Sequence, residues 1–155
     1  MAVSEVTVSE SGNGRFAEEI KIGAHMIYSD EPTSRGGTNR GPSPYEFVMA
    51  ALGACTAMTI RMYAERHELK LRRTTVQLKH FKLPAISDAG ALDYFERTIG
   101  LEGDLTDEQR LRLLQISEKC PIGETLRHAA TIDSRLAAAP SEENAALARL
   151  AEAAE

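Results

Sequence analysis

Phe47-Val48-Met49-Ala50-Ala51-Leu52-Gly53-Ala54-Cys55-Thr56-Ala57-Met58-Thr59-Ile60 runs for 14 residues without a charge. Ala, Leu and Met favour helix over strand throughout it, and Arg61, Glu65 and Arg66 follow at once. At about 1.5 Å per residue the stretch is roughly 21 Å long, short of the ~30 Å of a bilayer core. It therefore reads as a central core helix, and a membrane span is not expected. Apolar on every side, the helix needs cover on every side, from its own sheet plus a second layer or a partner subunit.

Upstream, Val6 and Val8 alternate with polar neighbours, and Phe16, Ile20 and Ile22 repeat the pattern after the Asn13-Gly14 turn signal. Two paired strands are predicted, with a third over His25 to Ser29 after Gly23. Asp30 to Ser43, with Gly36, Gly37 and Gly41, is a polar loop leading into the helix. Downstream, Arg72 to Leu83 alternates as a strand, with Thr75, Gln77 and Lys79 on one face and Val76, Leu78 and His80 on the other. Ala91 to Leu101 reads as its hairpin partner. Thr106-Asp107-Glu108-Gln109 is a capping box ahead of Leu111, Leu113, Leu114 and Ile116, an amphipathic helix ending near Cys120-Pro121. A short helix is predicted from Pro121 and a closing strand over Thr131 to Leu136. Strands and helices are segregated rather than alternating, so the fold class is α+β.

The chain has 155 residues, which fits one domain over 1–136 followed by an Ala- and Glu-rich tail, 137–155, predicted as helix or disorder. Its 43% hydrophobic and 26% charged residues are ordinary for a globular protein, and with 5% aromatics the core is aliphatic. The formal charge of −5 lacks the basic footprint of a nucleic-acid binder, and the tail, with four Glu and one Arg, carries −3 of it. MAVSEVTVSE has neither the basic start nor the apolar run of a signal peptide, so a cytoplasmic location is expected. His25, His67, His80 and His128 are scattered without metal-ligand spacing, and no P-loop, GxSxG or GxGxxG is present, so no metal or cofactor is expected.

Two cysteines remain, Cys55 and Cys120, too few for a disulfide scaffold. Each is either a small core hydrophobe or chemistry. Cys55 has small neighbours in Gly53 and Ala54 that leave room for approach to its sulfur. Cys120 stands at a helix boundary, where the N–H groups of the next helix would lower a thiol pKa. A buried thiol and one at a helix end suit a two-step redox cycle.

Gly41-Pro42-Ser43-Pro44-Tyr45-Glu46-Phe47, Ala51-Leu52-Gly53-Ala54-Cys55-Thr56, Arg61-Met62-Tyr63-Ala64 and Cys120-Pro121 together resemble the osmotically inducible protein C and organic hydroperoxide resistance (OsmC/Ohr) superfamily, nearest its OsmC-like branch. The resemblance covers residues 14–136. It implies antiparallel sheets packed on a long buried central helix, in an intertwined homodimer. It also implies a thiol-dependent peroxidase for organic hydroperoxides. In that scheme the Cys55 thiolate attacks the O–O bond and becomes a sulfenic acid, Cys120 resolves it as a disulfide, and an external dithiol, a lipoyl group in some relatives, restores the thiols. Burial opposes a thiolate at Cys55, so a cation is expected beside it. The family's strand Arg matches Arg15 best, with Arg35 and Arg40 as competitors, and its positioning carboxylate matches Glu46. Relatives place that Glu directly after the Pro, where this chain has Tyr45, and many of the branch have His where this chain has Gly123. Along an unbroken helix Glu46 and Cys55 stand about 13.5 Å apart on opposite faces. The same features are compatible with a non-enzymatic dimer that binds an apolar small molecule, or with a thiol redox sensor.

Overall fold

The computed structural model describes residues 5–84, 92–128 and 130–137. Three short strands, β1 (Val6–Glu10), β2 (Glu18–Ile22) and β3 (His25–Ser29), form an antiparallel sheet in sequential order. Val6 faces Ile22 and Val8 faces Ile20 across the first pair. A seven-residue connection replaces the tight Asn-Gly hairpin: Ser11 N–H donates to the Ala17 carbonyl, and Gly12 takes a φ of +71°. Asn13 instead bonds back to Ser11 through both its N–H and its side chain, which holds the wider loop.

The 30–43 loop leads into α1 (Pro44–Arg66), which runs unbroken for 23 residues. That is longer than the uncharged stretch, so by length and composition alone α1 would be able to cross a bilayer, and the length argument against a span fails. Its contacts are those of a core helix. Leu52, Thr56, Ile60 and Ala64, four residues apart, form a buried stripe. The expected all-round burial is not met within one chain: Met58 and Met62 are each 65% exposed.

The stripe packs on a long antiparallel hairpin, β4 (Lys70–Leu83) and β5 (Leu92–Asp104), and on α2 (Asp107–Ser117) and α3 (Pro121–His128). Thr74, Val76, Leu78 and His80 are the half-buried face of β4, while Thr75, Gln77 and Lys79 are exposed, as the alternation predicts. Gly53 is the point of closest approach, since a Cβ there would come 2.8 Å from Leu78 Cδ1. Its small size thus serves helix-to-sheet packing rather than access to sulfur. Ile60, Ala64, Leu71 and Leu113 form the core, closed by Tyr63, Leu69, Ile99, Leu101 and Leu105. His80 ties the start of α1 to the hairpin, stacked between Tyr45 (4.2 Å) and Phe95 (4.7 Å) and bonded to Asp93 Oδ1 at 2.8 Å.

The capping box of α2 forms as predicted, with Gln109 N–H on Thr106 Oγ1 at 3.2 Å and Thr106 N–H on Gln109 Oε1 at 3.0 Å. Of the four predicted core residues of α2, Leu113 and Ile116 are buried, whereas Leu111 and Leu114 are exposed. The predicted closing strand does not form among the described residues: 131–136 carry no strand pairing, and Ile132 and Leu136 are 87% and 98% exposed. A strand exists only where another supplies its hydrogen bonds, and none of the described strands pairs with these residues. The tail beyond residue 137 lies outside the described residues.

Candidate active site

Cys55 lies on α1 one residue before the buried Thr56, at the border of the packed stripe, and is half-buried. Cys120 is fully buried in the short turn between α2 and α3, its N–H on the Ser117 carbonyl at 3.3 Å. The junction of α1 with α3 brings the two thiols close enough to shift each other's ionisation.

Their environments push the two thiols apart. Burial raises the Cys55 pKa, and the nearby Cys120 raises it further, against smaller help from the Ile122 N–H and the Thr59 hydroxyl. Burial also works against Cys120. There it is outweighed by the Cys55 thiol, the N–H groups of Gly123 and Ile122 and the Thr56 hydroxyl, so the Cys120 pKa falls. The first turn of α3 points free N–H groups at this sulfur, as expected for a cysteine just before a helix. Such a pair loses its first proton as a unit, and the charge settles on Cys120.

The three arginines expected as the cation beside Cys55 have other partners among the described residues. Arg15 lies over the Phe16 ring at 4.9 Å, Arg35 pairs with Glu31 at 3.5 Å, and Arg40 lies over the Tyr28 ring at 5.7 Å. Among the described residues none of the three bonds to either thiol. Glu46 is engaged locally too, its Oε2 accepting from Ser43 N–H at 2.7 Å and Ser43 Oγ at 2.8 Å in the capping box of α1. These two bonds hold its pKa below the ordinary carboxylate range. Because α1 is continuous, Glu46 and Cys55 of one chain stay about 13.5 Å apart along its axis. The structure thus joins Cys55 with Cys120 and brings neither Arg15 nor Glu46 to them.

Sequence reasoning missed Arg97. From the middle of β5 its Nη1 donates to Thr56 Oγ1 at 2.9 Å and to the Ser117 carbonyl at 3.2 Å, and its Nη2 pairs with Glu118 at 2.9 Å. Arg127 of α3 also pairs with Glu118 and donates to its carbonyl. In sequence Arg97 is one charge among several on a hairpin strand, and only its register toward α1 distinguishes it. Beside this network opens a cavity of about 290 Å³, lined by Leu52, Phe95, Leu126, Arg97, Arg127 and Gly123. Leu52 and Gly123 each lie three residues from a cysteine.

Comparison with known proteins follows the same frame. The family model for OsmC-like proteins matches residues 37–135. An OsmC-like protein of Mycoplasma pneumoniae superposes with a TM-score of 0.68 at 14% identity, over 81% of this chain and 88% of that one. An organic hydroperoxide resistance protein OsmC of Legionella pneumophila gives 0.63 at 18% identity, over 82% and 90%. An organic hydroperoxide resistance protein of Elizabethkingia anophelis gives 0.63 at 21% identity, over 82% and 89%. No curated protein matches the chain. Identities this low speak to the fold, while the family match spans well over half the sequence and includes both cysteines: the chain belongs to the OsmC-like protein family.

Proposed function

We propose that the protein is a two-cysteine peroxidase that reduces organic hydroperoxides in the cytoplasm. The observation that carries this reading is the meeting of two free, unlike thiols where α1 packs on α3, Cys55 half-buried and Cys120 buried. Cys55 is the thiol a peroxide can reach. As its sulfur attacks the outer oxygen of ROOH, its proton passes to the neighbouring Cys120 thiolate, the O–O bond breaks, and RO⁻ takes up a proton to leave as the alcohol. The Cys55 sulfenic acid then faces a sulfur suited to the second step. Cys120, again deprotonated, attacks the Cys55 sulfur and expels hydroxide, which leaves as water. One ROOH and two thiols become one alcohol, one water and one disulfide, and an external dithiol, such as a lipoyl group, supplies the two electrons for the next cycle. The half-apolar cavity beside Leu52 and Leu126 suits the organic part of the substrate. Within one chain Arg15 lies over Phe16 and Glu46 closes on Ser43, and the steps above call on neither.

The working unit in this reading is a homodimer. β1 is exposed along its whole length with Val6 and Val8, and Met26, Met58 and Met62 are exposed as well, an apolar surface a lone chain would leave wet. Sedimentation is expected to give twice 16.9 kDa, and a monomer at micromolar concentration would contradict this part.

The activity is tested by consumption of an alkyl hydroperoxide with a dithiol reductant. The Cys55→Ser variant is expected to lose at least ~100-fold in turnover. Full activity in that variant would show the mechanism wrong, and wild-type turnover no faster than free thiol would favour a non-enzymatic binder.

A further inference from the structure

Gly53 and Gly123 stand on the two helices that meet at the cysteines, and they differ in what a side chain would meet. At Gly53 a Cβ would come 2.8 Å from Leu78 Cδ1, so the sheet excludes it. At Gly123, in the first turn of α3, the nearest described atoms to a Cβ would be Arg127 Nη1 and Leu52 Cδ1, each at 3.7 Å, an ordinary van der Waals separation. Gly123 is not among the glycines with positive φ either. Within a helix glycine is less stable than alanine, because it has more backbone freedom to lose. Neither packing nor backbone geometry asks for that loss at residue 123. What the bare Cα leaves is space: Gly123, itself buried, borders the cavity of about 290 Å³.

The walls of that cavity are held by other contacts. Phe95 is stacked on His80 at 4.7 Å, Leu52 belongs to the buried stripe of α1, and Leu126 stands three residues after Gly123 on α3. The two guanidiniums among the lining residues have their charges engaged, Arg97 with Glu118 at 2.9 Å and Arg127 with Glu118 and, at 2.7 Å, with Glu124. Neither is spare for an acid group. An apolar cavity of about 150 Å³ takes up benzene, so this one has room for one ring or a branched alkyl group. Leu52 lies three residues before Cys55 and Gly123 three residues after Cys120, so a group lodged there rests on both helices beside the sulfurs.

We propose that Gly123 is a specificity-determining residue: its missing side chain keeps open the space that takes the compact, uncharged aryl or branched alkyl group of a hydroperoxide. This rests on the peroxidase reading above, but the binding is read without turnover.

The test compares cumene hydroperoxide with hydrogen peroxide, which needs no such space, as the ratio of their kcat/KM values. Gly123→Leu, which fills the cavity with a helix-favouring side chain, is expected to lower that ratio at least ~10-fold. Gly123→Ala is expected to raise Tm by about 3 °C, the sign of a glycine the fold does not need. Without peroxide, the reduced protein is titrated with cumyl alcohol, the product of cumene hydroperoxide, and followed by NMR of its leucine methyl groups. Those of Leu52 and Leu126 are expected to shift in wild type and to stay still in Gly123→Leu. An unchanged ratio in Gly123→Leu, a Tm lowered by Gly123→Ala, or alcohol shifts that survive in Gly123→Leu overturns the proposal. If Gly123→Leu does not fold, Leu126→Trp, which narrows the same cavity from a position 42% exposed, is read in the same way. A wild type that turns over no hydroperoxide but binds the alcohol, with binding lost in Gly123→Leu, would fail the peroxidase reading and keep the cavity. Turnover with an unchanged ratio would fail Gly123 alone.

Discussion

The 30–43 loop, with the first turn of α1, and the thiol junction are both polar networks inside an aliphatic protein, and they are wired in opposite ways. In the loop, buried Asp30 accepts from Thr38 Oγ1 at 2.6 Å, from the N–H groups of Glu31 and Thr38 at 2.8 Å and from Arg40 N–H at 3.2 Å. Glu46 closes on Ser43. Every partner lies within ten residues, and the carboxylates are saturated by their own stretch of chain. At the thiol junction Arg97 of β5 reaches Thr56 across 41 residues and Ser117 across 20, and Cys55 meets Cys120 across 65. The loop uses its charges to hold backbone, whereas the junction gathers groups whose protons can move. Saturated acceptors build structure, and groups that compete for one proton are available for chemistry.

Breaking the junction should cost the most. Cys120→Ser is expected to consume one equivalent of hydroperoxide and stop, with a single oxygen on Cys55 by intact mass and steady turnover down at least ~100-fold. Continued turnover in that variant would remove the junction's second thiol from the mechanism.

Breaking the loop should cost stability and leave the thiols alone. Asp30→Asn is expected to lower Tm by several degrees at pH 7 without moving the cysteine titrations. The Thr38 hydroxyl, with three backbone N–H groups, prevails over burial and holds the Asp30 pKa at about 2 from an ordinary 3.8. A carboxylate held down in this way stabilises the fold above pH 3.8, and that contribution drains away as the pH falls to about 2. The gap in Tm between variant and wild type should therefore close over that window. A gap independent of pH would assign the loss to packing.

A smaller effect is expected of Glu46→Gln, which weakens one capping box: a fall in Tm of about 2 °C with hydroperoxide turnover unchanged. A tenfold loss of turnover would bring Glu46 into the reaction and blur the contrast between the two networks. The smallest effect is expected from ending the chain at Leu136, just past the last residue matched by the family, where the same assay should read as full length. A large loss would give the 137–155 tail a part in covering the site.

Legibility followed the range of the interaction. The two cysteines, the capping box at Thr106 and Gln109, the strand over His25–Ser29 and the polar face of β4 were readable because each is written in adjacent or periodic residues. The closing strand at 131–136 was misread because alternation states a preference, and a strand also needs a partner. The cation was sought by family position at Arg15, Arg35 and Arg40, while Arg97, which reaches the thiol region, carries no local signature.

The amino-acid sequence by itself determined the α+β class, the central helix, the family frame and the two sulfurs, since composition, periodicity and motif spacing act over a few residues at a time. Only the tertiary structure decided which groups share a proton. It turned Gly53 from an opening beside sulfur into a packing contact and gave Glu46 to a helix cap. It also set Arg97 of β5 against Thr56 and against the turn that carries Cys120. Hydrogen bonds require atoms within about 3 Å in set directions, a condition that separation along the chain does not encode.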